Sequence, residues 1–198
     1  MNLDTSDNDP RELVERMFQA YEHRALGDID HALEGNSRLG ALILAACFID
    51  YMAHIAGIIS GSIGRDKSKP NYIDFVRKHM SRYDAEKLYE DFRCDLVHAY
   101  SGQGRYMYIA DRPEVHLREA DFPSKTLINV EDFVADVKAA FQRFREEVLS
   151  DEDKIQGVFD GIKEKKIGFI EEKDIRYPVV QNKNGVIKTF TYTASVGN

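Results

Sequence analysis

Arg93, His98 and Tyr100 fall within one string, Arg-Cys-Asp-Leu-Val-His-Ala-Tyr, of a 198-residue chain. A guanidinium holds a phosphate, an imidazole moves a proton near neutral pH, and a phenol does either or stacks on a base. These groups suit attack of a ribose 2'-hydroxyl on its neighbouring phosphate. That reaction needs a general base of near-neutral pKa and a cation for the charge growing on the phosphoryl oxygens. His98 fits the first role and Arg93 the second. The plainer account is a helix-terminal His lying against the last carbonyls of its helix.

On a helix, Arg93 and Tyr100 are two turns apart on one face, and His98 lies about 140° round from Arg93. The long Arg arm lets their tips converge where Ser101, Gly102 and Gly104 stop the helix. Asp95 stands one turn before His98 and Asp91 two turns before it, so either could orient the imidazole. Cys94 is also one turn before His98, but a thiol beside an imidazole is not by itself a nucleophile. One Arg and one His still lack an acid for the leaving group. A symmetric dimer would supply a second copy of each.

The elements that must position this site are mainly helical. Asp9-Pro10 starts a first helix carrying Leu13, Met17 and Tyr21. Gly27 is expected to interrupt, with a second helix running from about 28 or 31 to 59. Residues 61–70 read as a charged connection, and Ile73, Val76, Met80 and Tyr83 mark a short helix. The motif helix, 84–100, carries the stripe Leu88, Phe92, Leu96 and Ala99. Residues 106–109 and 115–117, around Asp111 to Glu114, predict a small hairpin near 105–118. Asn129 reads as the cap of a helix over 130–148, where Phe133, Val137, Phe141 and Phe144 share a face. A further helix covers 151–165. Residues 168–170 and 187–193 predict a terminal ribbon. The expectation is a mainly α, antiparallel helical bundle with small β-hairpin insertions. Residues 1–166 form its domain, and 167–198 a C-terminal β-ribbon or extended appendage.

Residues 39–63 are apolar enough to cross a bilayer, yet Asp50 and His54 sit at their middle, so a buried central helix is expected and no membrane. The net charge of −7 argues against a protein that coats nucleic acid throughout, while leaving room for one local basic site. The start is polar and acidic, so no signal peptide is expected. Cys47 and Cys94 read as core residues of a reducing compartment, so a cytoplasmic location is expected.

Arg93, His98 and Tyr100 resemble the R-x4-H-x-Y motif of HEPN-domain proteins, especially the toxin partners of minimal nucleotidyltransferases. The resemblance covers the helices over 13–100 and extends to the helix over 130–148. It implies a HEPN-like fold and a metal-independent endoribonuclease that acts as a homodimer, with Arg93 and His98 catalytic. It also implies that Tyr100 can receive adenylyl groups from a cognate nucleotidyltransferase antitoxin. Added charge and bulk there would silence the site. The alternative within the same family is a non-catalytic protein- or nucleic-acid-binding module.

Other residues add contacts to this expectation. Arg65, Lys67, Lys69, Arg77, Lys78 and Arg82 form a basic island with Tyr72 and Phe75, and Arg105 extends it past the motif helix. Basic groups interleaved with aromatics can guide single-stranded RNA, although a solvated linker has the same composition. Cys47, Asp50 and His54 share one helix face but lack the remaining ligands of a metal site. The simpler expectation is Cys47 in the core and Asp50 hydrogen-bonded to His54, with Asp50 also able to reach the cleft. Glu34, Asn36 and Arg38 are candidates to support the site residues from behind, but a solvated face is the simpler expectation. No P-loop or dinucleotide fingerprint is present, and Gly57, Gly61 and Gly64 do not make one, so no cofactor or metal is expected.

Overall fold

Asp9 accepts the Arg11 amide with its side chain, and Pro10 takes the first helical position of α1, Pro10–Tyr21. Sequence and structure agree there because the missing Pro amide is one that a helix start leaves unpaired anyway. The computed structural model describes residues 9–94, 96, 105–120, 125–168, 179–182 and 185–188.

Gly27 does not break the chain. A π-helical stretch, Glu22–Leu26, carries α1 into α2, Gly27–Glu34. The break falls at Gly35 to Ser37, where Asn36 adopts φ 59°, a left-handed geometry that Asn tolerates. Helix α3 then runs Arg38–Ile59, so the single helix expected up to residue 59 is two. After a 3-10 turn at Arg65–Lys67 come α4, Ser68–His79, and α5, Ala85–Lys87, capped by Asp84. Helix α5 widens into a π-helical segment, Leu88–Arg93. Helix α6, Val130–Leu149, is capped by Asn129, whose side chain accepts the Asp132 amide, and α7 is Glu152–Lys163.

Helix α3 is the axis of the bundle, packed by α2, α4, α6 and α7. By length and composition it could cross a membrane, but half of its most apolar window is buried inside the bundle. Phe rings fill the core in the absence of Trp. Phe18 meets Phe141 at 5.9 Å and Phe144 at 6.1 Å, while Phe75 meets Phe144 at 5.5 Å. These mutually tilted geometries match the ring quadrupoles.

The expected hairpin is a different structure. Strand β1, Tyr106–Ile109, pairs in parallel with β2, Thr126–Asn129. The segment expected to be its partner enters a 3-10 turn at Pro113–Val115. Past that turn it lies on the opposite edge of β2, where the Leu117 amide donates to the Leu127 carbonyl at 2.8 Å. Alternation marks residues that can be strand, but Pro113 and the φ of 60° at Leu117 redirect the chain before it can return along β1. Near the C-terminus, β3 (Val179–Asn182) and β4 (Gly185–Lys188) form an antiparallel ribbon. Of the expected ribbon, residues 169–170 and 189–193 lie outside the described residues.

Polar contacts bind the β1–β2 insertion to the bundle. Arg38 pairs with Asp111 at 2.8 Å and Glu131 at 3.1 Å, so it is a tie and not a solvated residue. The buried Tyr83 hydroxyl donates to Asp136 at 2.8 Å and meets His116 Nε2 at 3.0 Å. His116 Nδ1 accepts the Asn129 amide at 3.1 Å, which assigns the ring proton to Nε2.

Candidate active site

Arg93 is positioned by what surrounds it on the motif helix. Leu88, Phe92 and Leu96 are buried, as their stripe requires. Phe92 packs against Phe133 at 5.0 Å and Tyr106 at 5.9 Å. Thus anchored, the helix turns Arg93 toward α3, where Nε donates to Asp50 Oδ2 at 2.6 Å and Nη2 pairs with the same oxygen. Both side chains are about four-fifths buried, at 20% and 21% exposure. Burial is the largest single influence on the Arg93 pKa and pulls it down. The hydrogen bond and charge of Asp50 more than offset it, and the guanidinium ends above its ordinary value. Arg93 ends a π-helical segment, a local widening frequent at functional sites.

Two tyrosines complete this neighbourhood. The Tyr89 ring has the Arg93 guanidinium 5.6 Å and the Lys69 ammonium 5.9 Å from its centre. Tyr72 packs edge-on against Tyr89 at 5.2 Å and is fully buried, with no hydrogen-bond partner for its hydroxyl. Burial, then the Asp50 charge, pushes the Tyr72 pKa well above the ordinary phenol value.

A cleft of about 270 Å³ opens beside the ion pair, between α3 and the start of α4. Asp50, His54, Ser62, Arg65, Ser68 and Asn71 line it. His54 does not bond Asp50. Its Nε2 lies 3.2 Å from the Lys166 carbonyl, which can only accept, so Nε2 donates. Helical spacing brings Asp50 and His54 to one face, but Arg93 carries a permanent charge and takes the carboxylate. Cys47, expected in the core, is exposed on the same face of α3. Among the described residues, no three His, Cys, Asp or Glu side chains converge on a possible metal position.

The basic island is mostly matched by carboxylates. Lys67 pairs with Asp66, Lys69 and Arg105 with Glu90, Arg77 with Glu86, Lys78 with Glu147, and Arg82 with Asp136. These residues do not form one track. Lys78 and Arg82 flank a separate cleft that also includes His79, Tyr83 and Arg143. Arg65 is exposed, lines the cleft beside Asp50, and has no carboxylate partner among the described residues.

Asp95, His98 and Tyr100 lie outside the described residues. Of the expected site residues, the structure brings together Arg93, Lys69 and Arg105 around Glu90 and Tyr89, with Arg65 reached through Asp50. Sequence reasoning missed Tyr89, although its place one turn before Arg93 signals a shared helix face. No family model, curated protein or solved structure matches the chain.

Proposed function

We propose that this chain is a HEPN-like endoribonuclease that cleaves single-stranded RNA without a metal ion, as a homodimer in the cytoplasm. The observation that carries this reading is the hold of Asp50 on Arg93 at the wall of a cleft that also presents His54 and Arg65. A carboxylate on one edge of a guanidinium sets its orientation, so an arriving phosphate meets a cation that need not reorganise. His98 then takes the 2'-hydroxyl proton, Asp95 orients its ring, and Arg93 stabilises the charge on the phosphoryl oxygens. The ribose oxygen forms its bond to phosphorus as the 5'-oxygen leaves with a proton, which yields a 2',3'-cyclic phosphate. A second copy supplies the acid for that proton. Leu44 and Cys47, exposed on α3 and one turn apart, offer a face for it. Tyr100 is the position at which a cognate nucleotidyltransferase would silence the site.

The matched charges of the basic island favour the second reading, a non-catalytic binding module of the same fold. A track whose cations already hold carboxylates attracts RNA weakly. The test is cleavage of mixed-sequence RNA in EDTA by the wild-type, Arg93→Ala and His98→Ala proteins. Cyclic-phosphate products lost in both folded variants support the enzyme. Wild-type cleavage no greater than that of the variants, from protein whose intact mass shows no adenylyl group, removes it.

A further inference from the structure

We infer that the cleft between α3 and α4 is a phosphate subsite for the residue of the strand next to the scissile one, with Arg65 as its cation. The inference rests on the phosphodiester reading of the Arg93 site. Asp50 joins the two places, because it lines the cleft and holds Arg93. Its negative charge is matched by that guanidinium, so the lining keeps the positive charge of Arg65 for a ligand.

The cleft is a built feature. Ser62 donates from its hydroxyl to Asn71 Oδ1 at 2.8 Å, and Asn71 Nδ2 donates back to the Ser62 carbonyl at 2.8 Å. This reciprocal pair pins the loop after α3 to the first turns of α4. The approach requires glycine at position 57, where a methyl group would collide with the Asn71 amide and sit 2.9 Å from the Ser62 carbonyl. Gly64 adopts φ 141°, which side chains rarely tolerate, and turns the chain so that Arg65 begins the 3-10 turn at the cleft.

The remaining lining suits a phosphodiester. Ser68 brings a hydroxyl. His54 donates Nε2–H to the Lys166 carbonyl, so its Nδ1 bonds a phosphate oxygen only from a ring that carries a second proton. The volume falls below the roughly 300–1,000 Å³ of pockets that enclose drug-sized molecules, so a phosphate with part of its sugar is the appropriate scale. The glycines do not form a P-loop. Recognition here is by side chains, which suits a strand that must pass on after one contact.

The test uses a 2'-O-methyl hexauridylate, which cannot be cleaved, and inorganic phosphate. Binding of the oligonucleotide is measured against salt for wild-type, Arg65→Gln and, as a control, Arg112→Gln. Each single-strand phosphate contact contributes about 0.7 to the slope of log affinity against log salt. Arg65→Gln should lower the slope by that amount, and Arg112→Gln should leave it unchanged. Phosphate should shift the His54 ring resonances in wild-type and not in Arg65→Gln. Oligonucleotide bound by Arg65→Gln with an unchanged slope overturns the subsite and leaves the Arg93 reading standing. Phosphate bound through Arg65 without oligonucleotide binding leaves an anion site that serves no strand, and overturns the subsite together with the RNA reading. Binding of neither ligand overturns both.

Discussion

Asp50→Asn tests the central structural claim, that a carboxylate from α3 holds the motif arginine. The substitution keeps the shape and one acceptor oxygen but removes the charge that Arg93 faces. Hydrogen bonds to charged groups contribute about 1.5–3 kcal/mol, and stripping one partner from a fully buried pair costs about 3–5 kcal/mol. Asp50 and Arg93 keep about a fifth of their side-chain surface in water, so the lower part of this range applies, about 2 kcal/mol. For a chain of this size that is a fall in Tm of roughly 4–8 °C. Urea unfolding should show a lower midpoint with the slope unchanged. Arg93→Gln and the double variant then complete a cycle, and the pair should show a coupling of at least about 1 kcal/mol. A loss below about 0.5 kcal/mol together with additive single effects would refute the argument, because a carboxylate that held the guanidinium could not be removed so cheaply.

Two further outcomes follow from groups away from the cleft. Tyr83→Phe should cost about 1–3 kcal/mol in urea unfolding, because it strips Asp136 and buried His116 of a shared partner. A neutral result would mean that this network does not tie the insertion to the bundle. His79 is buried, and that burial, only partly opposed by the Glu147 charge, lowers its pKa. The unfolded chain therefore binds the proton more readily, and stability should fall as pH drops from about 7 through the ordinary His value of about 6.5. His79→Gln should flatten this part of the pH profile, and an equal slope in both proteins would exclude His79 as its source.

Much of the helical order is legible locally. Asp9-Pro10, Asp84, Asn129 and Asp151 all act where a helix start needs an acceptor, because capping is decided within three or four residues. The stripe of Leu88, Phe92 and Leu96 likewise buries as its spacing demands. Gly27 misled because a glycine permits a break without imposing one, and here it keeps helical dihedrals. The hairpin misled because alternation identifies strand residues but not the strand they pair with. Strand β2 spans only four residues and merges into the cap of α6, so its signal is short.

The candidate site divides along the same line. Residue types and spacing alone put Arg93, His98 and Tyr100 in one string, marked the α3 segment as the apolar axis, and placed Arg65 at the start of a basic island. Only the tertiary structure decided that Arg93 holds Asp50, that His54 turns to the Lys166 carbonyl, and that Arg65 keeps its charge unmatched among the described residues. The reason is that capping and periodicity act within a turn or two. Ion pairing is a competition among every charge the fold brings within a few ångströms, here across 43 positions between Asp50 and Arg93.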